Sequence, residues 1–181
     1  SFQLYQELGL RGEVNFPAFE QALKGFSRYA SGQDRLLVLI DYTKPSTEKR
    51  FFILELLQKK LLLSTYVAHG RGSGDNYAVA FSNRPGSYQS SLGFFRTGDT
   101  YMGKNGYSLF LDGLEKGIND KARERAIVVH GANYADPAVL KGQQRLGRSL
   151  GCPALPPDIS KQVIDTIKGG VLLYIYGLNK A

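Results

Sequence analysis

Apolar residues return at spacings of three and four after Asn15, at Phe16, Phe19, Leu23, Phe26 and Ala30. With Pro17 at the start, that periodicity predicts an amphipathic helix packed on the main body of the protein. The pattern then changes character. Residues 36–40 form a short unbroken apolar run suited to a buried strand, and Asp41-Tyr42-Thr43-Lys44-Pro45-Ser46 after it has turn composition. Two strand-like runs, 50–57 and 61–68, are joined by Gln58-Lys59-Lys60 and predict a hairpin. A second hairpin is expected where Tyr101-Met102 and residues 107–111 flank Gly103-Lys104-Asn105-Gly106, because Asn-Gly readily takes the positive φ angles of tight turns. Residues 126–129 are a further strand candidate, with His130 at its end. Near the C-terminus, Asp158 is expected to cap a helix whose Ile159, Val163, Ile164 and Ile167 share one face. Gly169-Gly170 would end that helix, and residues 171–176 return as a strand. Short strands, glycine-rich turns and a few bracketing helices predict a mainly β or α+β domain.

Composition narrows the reading only slightly. A chain of 181 residues suits one domain with a substantial core. We expect residues 1–34 to form an N-terminal helical extension packed on a main domain of 35–181. Neither internal repeats nor linker-like tracts stand out. Hydrophobic residues make up 43% and charged residues 22%, ordinary globular proportions, and no apolar stretch approaches the roughly 20 residues needed to span a bilayer. The net charge of +7 favours anionic partners, yet the lysines and arginines are scattered, so a nucleic-acid-binding stripe is not expected. Ser1 is not an initiator methionine and no signal segment is evident, so the chain reads as a processed or trimmed form.

Cys152 is the only cysteine, and it lies in Ser149-Leu150-Gly151-Cys152-Pro153-Ala154, downstream of His130-Gly131. A lone thiol has no partner for an internal disulfide, whereas a histidine and a glycine-preceded cysteine are the parts of a nucleophilic site. A thiol with a pKa of about 8.5 needs an imidazole or oriented amides to populate its thiolate at neutral pH. His130 can meet Cys152 if the intervening chain folds back, as it would if Asp136-Pro137 caps a short helix. Amides around Cys152 could then hold the oxyanion formed when a carbonyl is attacked, which makes acyl transfer the natural reaction class. The plainer alternative is a small buried hydrophobe at 152 and a hydrogen-bonded strand-end histidine at 130. The glycine-rich Gly70-Arg71-Gly72-Ser73-Gly74 lacks the lysine and hydroxyl of a phosphate-binding loop and reads as a loop bordering the site. With only His69 and His130 beside one cysteine, neither a metal site nor a cofactor is expected.

Several ordered motifs go further than a cysteine and a histidine. Ala68-His69-Gly70, Phe81-Ser82-Asn83, Ser91-Leu92-Gly93-Phe94, Val128-Val129-His130-Gly131-Ala132 and Gly151-Cys152-Pro153-Ala154-Leu155 together resemble the murein L,D-transpeptidase catalytic-domain proteins, a divergent branch of the YkuD-type L,D-transpeptidases. The resemblance implies a YkuD-like fold with an N-terminal helix and short peripheral helices. It implies a peptidoglycan cross-linking enzyme, working in the periplasm or cell envelope as a monomer, with stem peptides as partners and carbapenems as inhibitors. Cys152 would be the nucleophile, His130 its base and the Gly131 carbonyl the support of the imidazole, with the Gly151 and Cys152 amides as the oxyanion hole.

This chain departs from the family pattern in two places. A second histidine commonly stands directly before the Gly-Cys pair, where this chain has Leu150, and the arginine usual after the cysteine is missing. His69 is expected to fill the first vacancy, and Phe94, Tyr101, Ser149 and Arg148 to contact substrate, with Lys44 a further candidate for its carboxylates. Because of these departures an L,D-carboxypeptidase acting on the same stems remains an alternative, and the basic charge, suited to an anionic envelope, leaves a catalytically silent wall-binding module as another.

Overall fold

The computed structural model describes residues 1–180. Eight strands, β1 (Leu36–Asp41), β2 (Phe51–Glu55), β3 (Lys60–Thr65), β4 (Gly93–Gly103), β5 (Gly106–Gly113), β6 (Val128–Gly131), β7 (Ala154–Leu155) and β8 (Leu172–Tyr176), form one sheet. Their order is β3-β2-β1-β8-β4-β5-β6-β7. Three α-helices accompany them among the described residues: α1 (Phe2–Glu7), α2 (Phe16–Tyr29) and α3 (Pro157–Ile167). The ends of the sheet approach each other. Just past β3, Ala68 bridges Ala154 of β7, its N–H donating to the Ala154 carbonyl at 2.8 Å, and Gly70 bridges Ser149. The sheet is therefore barrel-like, and the seam where it comes together runs past Cys152.

The unbroken apolar run of β1 follows from its place in the middle of the sheet. Val38 and Ile40 face one core, shared with Phe51, Ile53, Phe95, Leu109, Val129 and the α3 residues Val163, Ile164 and Ile167. Leu37 and Leu39 face a second core on the other side of the sheet, shared with Tyr5, Leu10, Phe19, Phe52, Leu54 and Leu172. A strand buried on both faces needs apolar residues at every position rather than at alternate ones. β1 pairs antiparallel with β2 and parallel with β8. The α2 helix seats Ala18, Phe19, Ala22 and Gly25 against the second core. Its start is tied to the end of β1, the Asn15 N–H donating to Asp41 Oδ2 at 3.2 Å and Asn15 Nδ2 to Thr43 Oγ1 at 2.5 Å.

Both predicted hairpins form, β2–β3 and β4–β5, the latter turning at Gly106 with φ of +83°. Three expectations change. The α1 helix was not anticipated, since six residues hold too few turns to establish a period. β4 begins at Gly93, well before Tyr101; a register shift between Thr97 and Thr100 breaks the alternation by which a strand is read from sequence. Asp158 is not the cap of α3: Pro156 occupies that position, and Asp158 sits in the first turn, where its charge favours the positive end of the helix dipole. Among the described residues, no helix is long and apolar enough to cross a membrane.

Candidate functional site

Strands β6 and β7 run parallel and place His130 opposite Ala154. Cys152, two residues before Ala154, is thereby set beside Val128, whose N–H points at Sγ from 3.4 Å. The thiol in turn donates to the Ala126 carbonyl at 3.4 Å. Ala126 adopts φ of +56°, a conformation uncommon outside glycine, as the chain turns into β6. His130 and Cys152 both line one cavity of about 360 Å³, together with Tyr101, Arg125, Tyr134 and Arg148. No hydrogen bond joins the imidazole to the thiol among the described residues.

The two groups rest in their neutral forms. His130 Nδ1 lies 2.8 Å from the Gly131 carbonyl oxygen, an acceptor only, so Nδ1 carries the proton and Nε2 is left with its lone pair. Burial lowers the His130 pKa, opposed by the Gly131 carbonyl. Burial pushes the Cys152 thiol up, while the Val128 N–H and the charges of Arg125 and Lys104 pull it down. Cys152 is 8% exposed, enough for contact with a ligand in the cavity and too little for free hydration.

A serine holds the turn that presents the cysteine. The Ser149 hydroxyl donates to the Cys152 carbonyl at 2.5 Å and accepts from the Gly151 N–H at 3.1 Å, while the Ser149 N–H donates to the His69 carbonyl at 2.9 Å. Gly151 has φ of +128°, and a Cβ there would lie 2.9 Å from Ile127 Cδ1 and 3.0 Å from the Gln89 carbonyl. Only glycine fits this position without strain. One expected oxyanion donor is therefore engaged: the Gly151 N–H is already bonded to Ser149. The Cys152 N–H has no protein partner among the described residues, which makes it the amide available to an incoming oxyanion.

Of the other residues singled out in the sequence, Tyr101, Arg148 and Ser149 line the cavity and Gly131 borders an adjoining one. Tyr101 is stacked on Phe110 with ring centroids 4.4 Å apart. Half-buried Arg148 meets the exposed Asp75, Nη1 to Oδ1 at 3.1 Å, and also donates to the Gly74 carbonyl at 3.3 Å. Three expected contacts lie away from the cavity. His69 does not replace the missing histidine: its ring is buried outside the cavity, Nδ1 accepting from Arg50 Nη2 at 2.8 Å and Nε2 donating to the Gly74 carbonyl at 3.1 Å. Phe94 does not reach the cavity either, because its ring stacks on Tyr174 at 4.2 Å in the second core. Lys44 is likewise remote, its ammonium donating to the Lys49 carbonyl at 2.7 Å. Leu150, at the position where the family pattern has a histidine, is an exposed apolar residue on the cavity wall.

Three contributors escaped the sequence reading: Arg125, Tyr134 and the Lys104-Asn105 hairpin tip. Arg125 comes from the turn before β6, so it reaches the cysteine from upstream in the chain. The only sequence signal was its position directly before the β-branched run that carries His130.

The family model for the L,D-transpeptidase catalytic domain matches residues 10–176, a stretch that includes α2 as well as every strand. No curated protein sequence matches the chain. Among solved structures, the helical cell shape determining protein Pgp2 from Campylobacter jejuni superimposes with a TM-score of 0.52 at 16% identity, over 82% of this chain and 50% of that one. An L,D-transpeptidase from Stackebrandtia nassauensis gives 0.49 at 14% identity, over 98% and 76%. An L,D-transpeptidase from Mycobacterium smegmatis gives 0.47 at 13% identity, over 79% of this chain, which spans 59% of that protein. At 16% identity the likeness to Pgp2 is one of fold.

Proposed function

Because the chain belongs to the L,D-transpeptidase catalytic-domain family, we propose that it cross-links peptidoglycan through a thioester on Cys152. The observation that carries this reading is the convergence of Cys152 and His130 on one cavity, with Gly131 holding Nδ1 protonated and Nε2 left as a base. In the first step Nε2 takes the thiol proton as Sγ attacks the carbonyl carbon of the L-centre of diaminopimelate, the third residue of a tetrapeptide stem. The carbonyl oxygen becomes an oxyanion and accepts from the Cys152 N–H. Collapse breaks the bond to the terminal D-alanine, whose amine leaves with the proton held by His130, and a thioester remains. In the second step the side-chain amine of another stem gives a proton to His130 and attacks the thioester. The carbon–sulfur bond breaks, and the proton returns to the cysteine.

This reading places the protein in the periplasm or cell envelope, acting as a monomer on stem peptides, with carbapenems as acylating inhibitors. The test is intact mass spectrometry after incubation with a disaccharide tetrapeptide, comparing wild type and Cys152→Ala. A cross-linked dimer that depends on Cys152 is the expected result. A tripeptide product alone would instead make the protein an L,D-carboxypeptidase, and an unmodified donor with folded protein would point to a different donor or to a wall-binding module.

A further inference from the structure

Arg125 is a half-buried cation with no carboxylate partner among the described ion pairs. Its guanidinium is nevertheless held firmly. Nη1 donates to the Ser82 carbonyl at 2.9 Å and to Ser91 Oγ at 2.8 Å, and Nη2 donates to the Gln89 carbonyl at 2.8 Å and to Ser87 Oγ at 3.2 Å. All four acceptors are neutral. They satisfy its hydrogen-bonding capacity on those two nitrogens and leave its positive charge uncompensated. The charge faces the nucleophile's turn: a Cβ built on Gly151 would lie 3.5 Å from Arg125 Nη2, and Arg125 shares its cavity with Cys152. A fixed, half-buried cation beside a thiol that forms an anion during its reaction is electrostatic preorganisation: it favours the ionised form without moving.

We propose that Arg125 is the electrostatic partner of the Cys152 thiolate, and that its four hydrogen bonds to the segment 82–91 keep the guanidinium in place for that role. This rests on the reading of Cys152 as the nucleophile and adds to it a positioning residue drawn from the turn before β6. The other titratable or charged groups around Cys152 are Lys104 and Tyr101 from the β4–β5 hairpin, His130 on β6, Tyr134 beyond it, Arg148 before the cysteine turn and Tyr42 after β1. Of these, His130 rests neutral, and burial raises the Tyr42 and Tyr134 hydroxyls to about 12. Lys104 sits at the tip of a hairpin, and Arg148 is paired with Asp75. Arg125 is thus the cation both rigidly bonded and lacking a counter-ion.

The experiment is the rate of Cys152 alkylation by iodoacetamide as a function of pH, followed by intact mass in the full chain. It compares wild type with Arg125→Gln, Arg125→Met and Arg125→Lys, with circular dichroism reporting the fold. The neutral variants are expected to move the alkylation midpoint up by about one pH unit, and Arg125→Lys to hold it near the wild-type value. A folded neutral variant with the wild-type midpoint would overturn the proposal. So would an Arg125→Lys midpoint displaced as far as that of the neutral variants, since geometry rather than charge would then be responsible. Should both neutral variants unfold, the Lys variant decides alone: retention of the midpoint supports the proposal and a rise overturns it. Alkylation needs no stem peptide, so failure of the transpeptidase reaction in wild type would be distinguishable from failure of this assignment.

Discussion

The guanidinium of Arg50 donates to His69 Nδ1 at 2.8 Å, with both side chains buried. Arg50 also donates to the Val67 and Lys44 carbonyls and lies over the Tyr42 ring at 4.7 Å. Burial lowers its pKa to about 10, leaving it charged at neutral pH. Beside that cation His69 must be neutral, and its carbonyl is the acceptor for the Ser149 N–H in the cysteine turn. The pair therefore braces the site from behind.

Acid should loosen this brace. Burial, then the Arg50 charge, lower the His69 pKa to about 3. Between about pH 6.5 and 3 the unfolded chain binds a proton at this residue that the folded protein refuses, so stability falls as pH falls through that window. Each unit of depression is worth about 1.4 kcal/mol. His69→Gln can accept from Arg50 and donate to Gly74 without titrating. Urea unfolding at pH 7 and pH 4.5 should show a smaller acid loss in the variant; equal losses would exclude His69 as the source.

Ser149→Ala removes both bonds of the Ser149 hydroxyl and leaves the Gly151 N–H without its partner in a buried turn. We expect a stability loss of about 1–3 kcal/mol and a fall in kcat, with Ser149→Thr recovering part of each. Chemical denaturation and steady-state turnover measure the two effects separately.

The pH dependence of turnover follows from two opposed shifts. In the proposed mechanism His130 must be neutral to take the thiol proton, and its lowered pKa puts the acid limb below the usual histidine value of about 6.5. The raised thiol pKa keeps Cys152 protonated at neutral pH, so proton transfer accompanies attack rather than preceding it. A kcat/KM profile flat through pH 7 and falling only in acid is expected; a limb centred above pH 7 would mean that the thiolate forms first.

Phe94 separates packing from substrate contact. Gly25 lies against its ring so closely that a Cβ at Gly25 would overlap it. Phe94→Leu should cost about 1–3 kcal/mol of stability through lost packing and leave KM for a stem peptide unchanged. A several-fold rise in KM with normal stability would return Phe94 to the substrate groove.

Much of this protein was legible along the chain because local chemistry leaves local marks. The 3.6-residue period located α2 and most of α3, and the apolar run at 36–40 announced a strand in the middle of the sheet. Asn105-Gly106 marked its hairpin, and the lone cysteine after glycine, with His130-Gly131 upstream, pointed to the candidate site. Where such marks were weak, the reading stopped short, as with the six-residue α1 and the register-shifted start of β4.

Facing and pairing were decided by tertiary structure alone. Nothing local in His69 says that its ring turns toward Arg50 rather than the cavity, since a strand-end histidine can point either way until a buried cation claims its lone pair. Phe94 and Tyr101 are both aromatic residues of β4 and, through the register shift between them, share one face of the sheet, yet one is packed under α2 and the other lines the cavity because they stand at different points along the strand. Arg125 comes to lie beside the turn that carries Cys152 because β6 and β7, distant in sequence, pair in parallel. Residue type and spacing therefore determined which chemistry the chain carries. The closing of the sheet determined which atoms meet, because side-chain direction and long-range pairing are set by burial and by partners distant in sequence.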